Sequence, residues 1–473
     1  MGLRSLRGAE LKNAARTRRL VQIGAACARG AQGTMTSIFS RPAELKAAYR
    51  LFDRDELTHE AILAPHCQRT RQALRQPGRF LLLEDTTELA YTGHSATEGL
   101  GRIGGARDDQ GPRGLFLHTS LAVKLLPGSA PDVVVERIVG LAHQIAWART
   151  KPPSKDEHGR RPSPKIRLSQ EDRESQRWSA VTDHLEPPPP GTTWVVVQDR
   201  EGDIYESIIK CFNKKVSFVI RANRDRVTAD GDAHLFDAVA AAPVLGQVAV
   251  ELPRRADRPT RTATLTLRAL RRSFQAPYRP GGRPAGFEVT VLEAREVDPP
   301  EGVAPVYWVL VTDRVVTGVA DGAEILNIYA RRELIEEFHK VMKTGLGVEK
   351  SCPTTARRLG ALSGLLSVVA TFLLDLSRRG RVAPETPLGP SDRDEVMREV
   401  LEGQLGPPPS GVWTIDEFLR AVACLGGFPG WNRRRRPGWI TIWRGWQRLM
   451  VMVQGVESHR RRNTGLDPPA MSE

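Results

Sequence analysis

Two short uncharged runs, each ending in an acid, constrain the fold of this chain more than any other feature. Residues 80–84 read FLLLE and lead into Asp85; residues 193–198 read TWVVVQ and lead into Asp199. Apolar runs of this length, bounded by polar clusters, read as central strands of a sheet covered on both faces. Each is expected to deliver an Asp at its carboxyl end, where open α/β sheets gather ligands. A lone strand-end Asp is more often a helix cap or a turn former. Two of them, from distant segments, form a constellation when a third acid joins them.

Glu336 is the third acid. Tyr329, Arg332, Glu336 and Lys343 are spaced by steps of three, four and seven. At about 100° per residue these steps predict one helix with all four side chains inside an arc of roughly 60°. Leu334, Ile335, Phe338, Val341 and Met342 fill the opposite side. That apolar stripe must face a core, so the four polar groups are expected to point away from it. A carboxylate flanked by two cations and a phenol suits a phosphate-rich substrate held beside a metal ion, although the same pattern also describes an ordinary solvated helix face. Three carboxylates from separate segments can bind a pair of Mg²⁺ ions, hard cations that prefer oxygen. Two ions about 4 Å apart would activate the attacking oxygen and stabilise the leaving one at a phosphodiester.

With these residues in place, the chain resembles the IS4-type cut-and-paste DNA transposases, and among them most closely the Tn5 group. The likeness rests on 84–89 (EDTTEL), on 199–204 (DREGDI) and on the complete signature Tyr329, Arg332, Glu336, Lys343. It extends to 47–50, 174–178, 425–428 and 443–446, nearly the whole chain. The resemblance implies an α/β, ribonuclease-H-like catalytic core over 76–378, with an inserted antiparallel β subdomain at about 230–312. Helical domains would flank it, 1–75 for recognition of DNA ends and 379–473 for dimerisation. Asp85, Asp199 and Glu336 would hold two Mg²⁺ ions, with Mn²⁺ as a substitute. One strand would be cut to leave a 3′-OH, which forms a hairpin on the opposite strand and, after its hydrolysis, joins target DNA. Arg332 and Lys343 would hold phosphates, Arg as a bidentate fork and Lys as a point charge. Tyr329 would donate to the same backbone, Arg221 would be a further phosphate contact, and Trp308 would stack in the pocket around a flipped base. The partners implied are transposon ends, target DNA and a second copy in the synaptic complex, in the bacterial cytoplasm at the nucleoid.

Composition agrees without deciding. Against 55 Asp and Glu stand 69 Lys and Arg, a formal charge of +14 and a pI of about 9.9. Such an excess is the electrostatic footprint of a phosphate-backbone binder, but it equally suits a ribosomal or RNA-binding protein. Five cysteines show neither a CxxC pair nor zinc spacing, so buried reduced thiols are expected. No signal peptide or membrane span is expected. The uncharged stretch 359–374 reads as a buried core helix behind the Glu336 helix rather than a span.

Along the chain, 11–21, 43–51 and 58–74 read as helices, the first of them basic. Arg16, Arg18, Arg19 and Arg50 are the candidate phosphate contacts of an end-recognition unit, against the alternative of a helical cap over the core. Residues 115–126, 133–139 and 218–221 read as further core strands. The stretch between Asp199 and Glu336 is too long for a loop, and its β-rich, alternating segments 248–252, 262–270, 287–294 and 306–311 predict the inserted sheet. A Trp in a strand is more often core than stacking platform, so only the resemblance gives Trp308 its role. Residues 151–167 and 186–191 read as Pro-rich surface loops, and 378–390 as a linker before helices at 392–405, 414–424 and 439–456. Trp439, Ile442, Trp443, Trp446 and Leu449 then form either a local core or an exposed partner stripe. Compared with the family, the chain starts almost at the first basic helix, and Glu333 stands where the Tn5 group has an aromatic. The other readings are an inactive or inhibitory copy that binds ends without cutting, and a ribonuclease-H-like nuclease or resolvase. The latter would not need the β insertion or the Tyr-Arg-Glu-Lys stripe.

Overall fold

A computed structural model of the chain describes residues 2–29, 34–39, 41–94, 96–104, 111–127, 134–149, 174–228, 234–252, 261–274, 286–351, 353–388, 395–430 and 436–463. The loop 151–167, Cys352 and Arg433 to Arg435 of the charge run lie outside them. The amino-terminal part is helical: α1 (Ala14–Ala28), α2 (Met35–Ile38), α3 (Pro42–Phe52) and α4 (His59–Leu74). Strands β1 (Gly78–Ala90), β2 (Gly101–Arg102), β3 (Arg113–Pro127) and β4 (Val134–Trp147) follow, then α5 (Ala180–Asp183), β5 (Thr192–Gln198), α6 (Tyr205–Asn213), β6 (Ser217–Arg221) and α7 (Leu235–Ala240). Next come β7 (Val244–Leu252), β8 (Arg261–Phe274), β9 (Phe287–Glu296) and β10 (Tyr307–Thr312), then helices α8 (Val319–Ala330), α9 (Glu333–Lys340), α10 (Ala356–Val382), α11 (Glu395–Leu405), α12 (Ile415–Leu425) and α13 (Trp439–Asn463).

One mixed ten-stranded sheet organises the molecule, in the order β2-β3-β1-β5-β6-β10-β9-β8-β7, with β4 also on β3. Strands β1, β5 and β6 run parallel at its centre. Side-chain alternation sorts two cores onto its two faces. Leu81, Leu83, Val195 and Val197 point to the face packed by α4, α9 and α10, while Phe80, Leu82, Trp194 and Val196 point to the face packed by α5, α6 and α7.

The sequence expectations need three corrections. Strand β1 does not end at Asp85 but runs on to Ala90, because the antiparallel β3 pairs along its whole length, from Arg79↔Leu125 to Ala90↔Gly114. Its parallel partner β5 stops pairing at Leu83↔Val197, so Asp85 lies mid-strand, just past the edge of the parallel pair. The antiparallel strands are not a separate sheet: β10 pairs with β9 on one side and β6 on the other, which makes β7–β10 a continuation of the central sheet. The Tyr329–Lys343 segment is not one helix. Helix α8 ends at Ala330, Arg331 turns back to donate to the Asn327 carbonyl at 2.6 Å, and α9 restarts at Glu333. Lys343 then falls in a π-helical turn, Val341–Gly345, whose extra residue shifts it off the α9 stripe.

The amino-terminal helices are joined to the core. Thr58 caps α4 by accepting the Ala61 N–H at 3.1 Å, His59 Nδ1 lies 3.0 Å from the Gly360 carbonyl, and Arg71 donates to the Ala142 carbonyl at 2.9 Å. Helix α10 is capped by Thr355 and contains the apolar stretch noted above. It is long and apolar enough to cross a membrane, yet 83% of its most apolar window is buried inside the protein, including against the α9 helix of Glu336. Helices α12 and α13 cross so closely that a Cβ on Gly445 would sit 1.6 Å from the Val422 carbonyl oxygen. Trp443, Trp446 and Leu449 are buried, which makes their stripe a core rather than an open surface, and Trp446 Nε1 donates to the Ala28 carbonyl at 2.8 Å. The thiols of Cys27, Cys67 and Cys211 are free and buried, and burial pushes each up to about 12, the expected inert state.

Candidate active site

Asp85 and Asp199 come together because their strands are parallel neighbours. Asp85 follows Leu83 by two residues on β1 and Asp199 follows Val197 by two on β5, and Leu83 and Val197 are register partners. Both acids therefore emerge on the α9 face, beyond the last parallel pair. Asp199 also caps the short turn Arg200–Gly202, its carboxylate accepting the Glu201 N–H at 2.9 Å.

The third acid is linked through a cation. Arg332, at the start of α9, pairs with Glu336 one turn on, and its Nη1 lies 3.6 Å from Asp85 Oδ1. His339 approaches the other oxygen, with Nδ1 3.5 Å from Asp85 Oδ2. Burial alone would raise the Asp85 carboxyl, but the His339 hydrogen bond and the charges of His339 and Arg332 outweigh it and hold Asp85 below its ordinary range. Asp199 moves the opposite way: burial and then the negative charge of Asp85 push it up. Glu201 is raised by burial and by Asp199 and Asp85. Asp199 and Glu201 thus feel the negative charge of neighbouring acids against the pull of Arg332 and Arg177 respectively.

Among the described residues, no three His, Cys, Asp or Glu side chains converge closely enough to hold one metal ion. Asp85 and Asp199 fit as two oxygen donors whose mutual repulsion a dication would relieve. The Glu336 side chain, 43% exposed, would complete the set on releasing Arg332.

The remaining predicted residues divide. Tyr329 does not point away from the core: it is only 5% exposed, because α8 ends just after it and turns its ring against the sheet. Its ring meets the half-buried Trp308 edge-on, with centroids 5.3 Å apart. It is also hydrogen-bonded to Arg221, which donates to the Tyr307 carbonyl at 2.9 Å. Burial raises the Tyr329 phenol against the pull of Arg332 and Arg221. Lys343 lies 4.0 Å from Glu349, whose carboxylate accepts the Ala90 N–H at 2.9 Å, so it stands near the far end of β1. Arg16 pairs with Glu56, Arg18 and Arg50 are exposed on α1 and α3, and Arg19 is half-buried. Among the described contacts none joins these four to the acids.

Sequence reasoning missed a polar layer on the opposite face. Glu84, fully buried, accepts from Gln198 Nε2 at 2.6 Å, and the same amide donates to the Trp178 carbonyl at 2.8 Å. Burial pushes Glu84 up to about 8 and the neighbouring His118 down to about 3, so both shifts favour the uncharged forms. Each of Glu84 and Gln198 immediately precedes a site Asp, and strict strand alternation sends it to the other face. His339 was also missed, although it follows Glu336 by three residues and so shares its turn of helix. No model of a known protein family matches the chain.

Proposed function

We propose that this protein is a DDE-type DNA transposase of the cut-and-paste class, with a ribonuclease-H-like core. One observation carries the reading: two Asp from parallel neighbouring strands lie partly buried on one face, close enough for the charge of Asp85 to bear on Asp199, with a Glu one salt bridge away. Asp85, Asp199 and Glu336 would hold two Mg²⁺ ions. When bound, such ions would lower the pKa of an attacking water and stabilise the departing oxygen. Arg332 has two carboxylate partners here, and DNA phosphate would compete for its planar fork. Turning Arg332 to phosphate would free Glu336 to join the two Asp. Tyr329, being buried, would steady Arg221 and Trp308 beside the site rather than meet DNA broadly. Lys343 would contribute a point charge to the DNA backbone, and Arg18 and Arg50 would add guanidinium contacts to it.

The test is cleavage of a duplex carrying the element's terminal repeat, in Mg²⁺ and in Ca²⁺. A hairpin-ended product in Mg²⁺ that vanishes in Glu336→Ala supports the enzyme and the hairpin route. End binding without a cut would replace this reading with that of an inhibitory copy.

A further inference from the structure

Behind Asp85 lies a row of buried polar groups that crosses three strands. Asp85 on β1 is the register partner of Thr119 on β3, and Thr119 is the register partner of Gln144 on β4. Thr119 is fully buried, Gln144 is 4% exposed and His339, which reaches the row from α9, is 6% exposed. Gln144 Nε2 donates to Thr119 Oγ1 at 2.9 Å. Thr119 Oγ1 lies 3.4 Å from His339 Nε2, and His339 Nδ1 lies 3.5 Å from Asp85 Oδ2.

Every link is satisfied only with a proton on His339 Nδ1. The Gln144 NH₂ group can only donate, so the Thr119 oxygen accepts there and its hydroxyl proton is available to His339 Nε2. An imidazole that accepts at Nε2 carries its proton at Nδ1, the atom facing Asp85. The row therefore aims the Nδ1–H at one carboxylate oxygen, Oδ2, and leaves Oδ1 turned toward Arg332. Outer-shell partners of this kind set the orientation of a metal-binding carboxylate.

We propose that His339, oriented by Thr119 and Gln144, is the positioning residue that fixes Asp85 for divalent-cation binding and docks the Glu336 helix onto the sheet. This rests on the proposed metal-dependent function, but not on any measurement of cleavage. His339 is one helical turn from Glu336, so the same contact sets the distance between the first and third acids.

Mn²⁺ binding to the full-length protein, read by electron paramagnetic resonance at fixed pH, tests it. His339→Ala is expected to weaken Mn²⁺ binding by about 10- to 100-fold. His339→Asn, whose amide N–H reaches the Nδ1 position, should restore most of the affinity, and His339→Gln should restore little. Thr119→Val should give a smaller loss that vanishes in the His339→Ala background, because the two act through one contact. Circular dichroism and thermal melts without metal identify any variant that fails to fold, and His339→Asn then carries the test. Undiminished Mn²⁺ affinity in a folded His339→Ala protein overturns the proposal, as does equal affinity of the Asn and Gln variants. If Asp85→Asn also leaves Mn²⁺ binding intact, the metal-site reading itself has failed, which is a different result.

Discussion

Two stretches of the same sheet handle acidic side chains in opposite ways. On the β8–β9 ladder each described acid has an arginine. Glu293, fully buried, meets Arg268 at 3.1 Å and Arg295 at 3.0 Å; Glu296 meets Arg261, with one contact of 2.9 Å; Glu288 meets Arg271 at 3.0 Å. At the open end of β1 and β5, Asp85, Asp199 and Glu201 crowd together: Asp199 is raised by burial and then by the charge of Asp85, and Glu201 by burial and then by the charges of Asp199 and Asp85. A matched acid contributes to folding, whereas a set of mutually repelling acids is retained at a cost in stability. That contrast separates a structural carboxylate from one kept for a cation.

The sharpest way to break the comparison is to remove charge at the crowded end. Asp85→Ala, Asp199→Ala and Glu336→Ala are each expected to abolish Mg²⁺-dependent cleavage, a loss on the order of 10³-fold or more, while end binding survives. Asp199→Asn should do so with an unchanged or higher melting temperature, since it relieves repulsion. Cleavage retained in any purified variant, measured on a labelled end duplex, would sink the assignment.

Glu84 provides a control on the same strand but the other face. Its folded pKa, about 8, lies above the ordinary value of 4.5, so the fold favours the protonated form. For this group stability is full below about pH 4.5 and is lost as the pH rises toward 8, by on the order of 4 kcal/mol at most. Because His118, held down at about 3, contributes the opposite slope below about pH 6.5, the decline is read as the wild-type unfolding free energy minus that of Glu84→Gln in denaturant melts from pH 5 to 8, and this difference should fall as the pH rises. A difference that stays constant would mean that Glu84 is not the group responsible.

Breaking a matched pair should do the reverse of emptying the crowded end. Glu293→Gln leaves two arginines without their carboxylate, one of them only 25% exposed. Unfolding free energy should drop by about 2 kcal/mol, less than for a fully buried pair, with cleavage by the folded fraction unchanged. Equal damage to cleavage and to stability would erase the distinction between the two regions.

How much of this was legible in the sequence follows from what each signal encodes. The strand runs at 80–85 and 193–199 were readable because burial on both faces removes charge from a strand, and that same burial set both Asp on one face. The break at Arg331 and Arg332 was not readable. Helical spacing continues across it, and only the Arg331 contacts, to the Asn327 carbonyl and at 2.9 Å to Glu136, show why the chain turns. The burial of Tyr329 was hidden for the same reason. Thr119 and Gln144 carry no local signal, because their role depends on the register of β1, β3 and β4, a long-range property. The joining of β10 to β6 was likewise invisible, since an alternating strand does not name its partner.

The mildest effects are expected among the basic residues of α1 and α3, where the same rule applies with the sign reversed. Arg16 is already matched by Glu56, whereas Arg18 and Arg50 are exposed. If DNA ends dock on this surface, each exposed arginine that meets a phosphate releases about one counterion. Arg18→Ala and Arg50→Ala should then each lower the slope of log affinity against log salt by about one, with little change in sequence preference. Arg16→Ala should change that slope less, because its charge is spent within the protein, and should instead lower the melting temperature slightly. Equal slopes for all three variants in a salt titration would show that local pairing does not predict which cations are free for DNA.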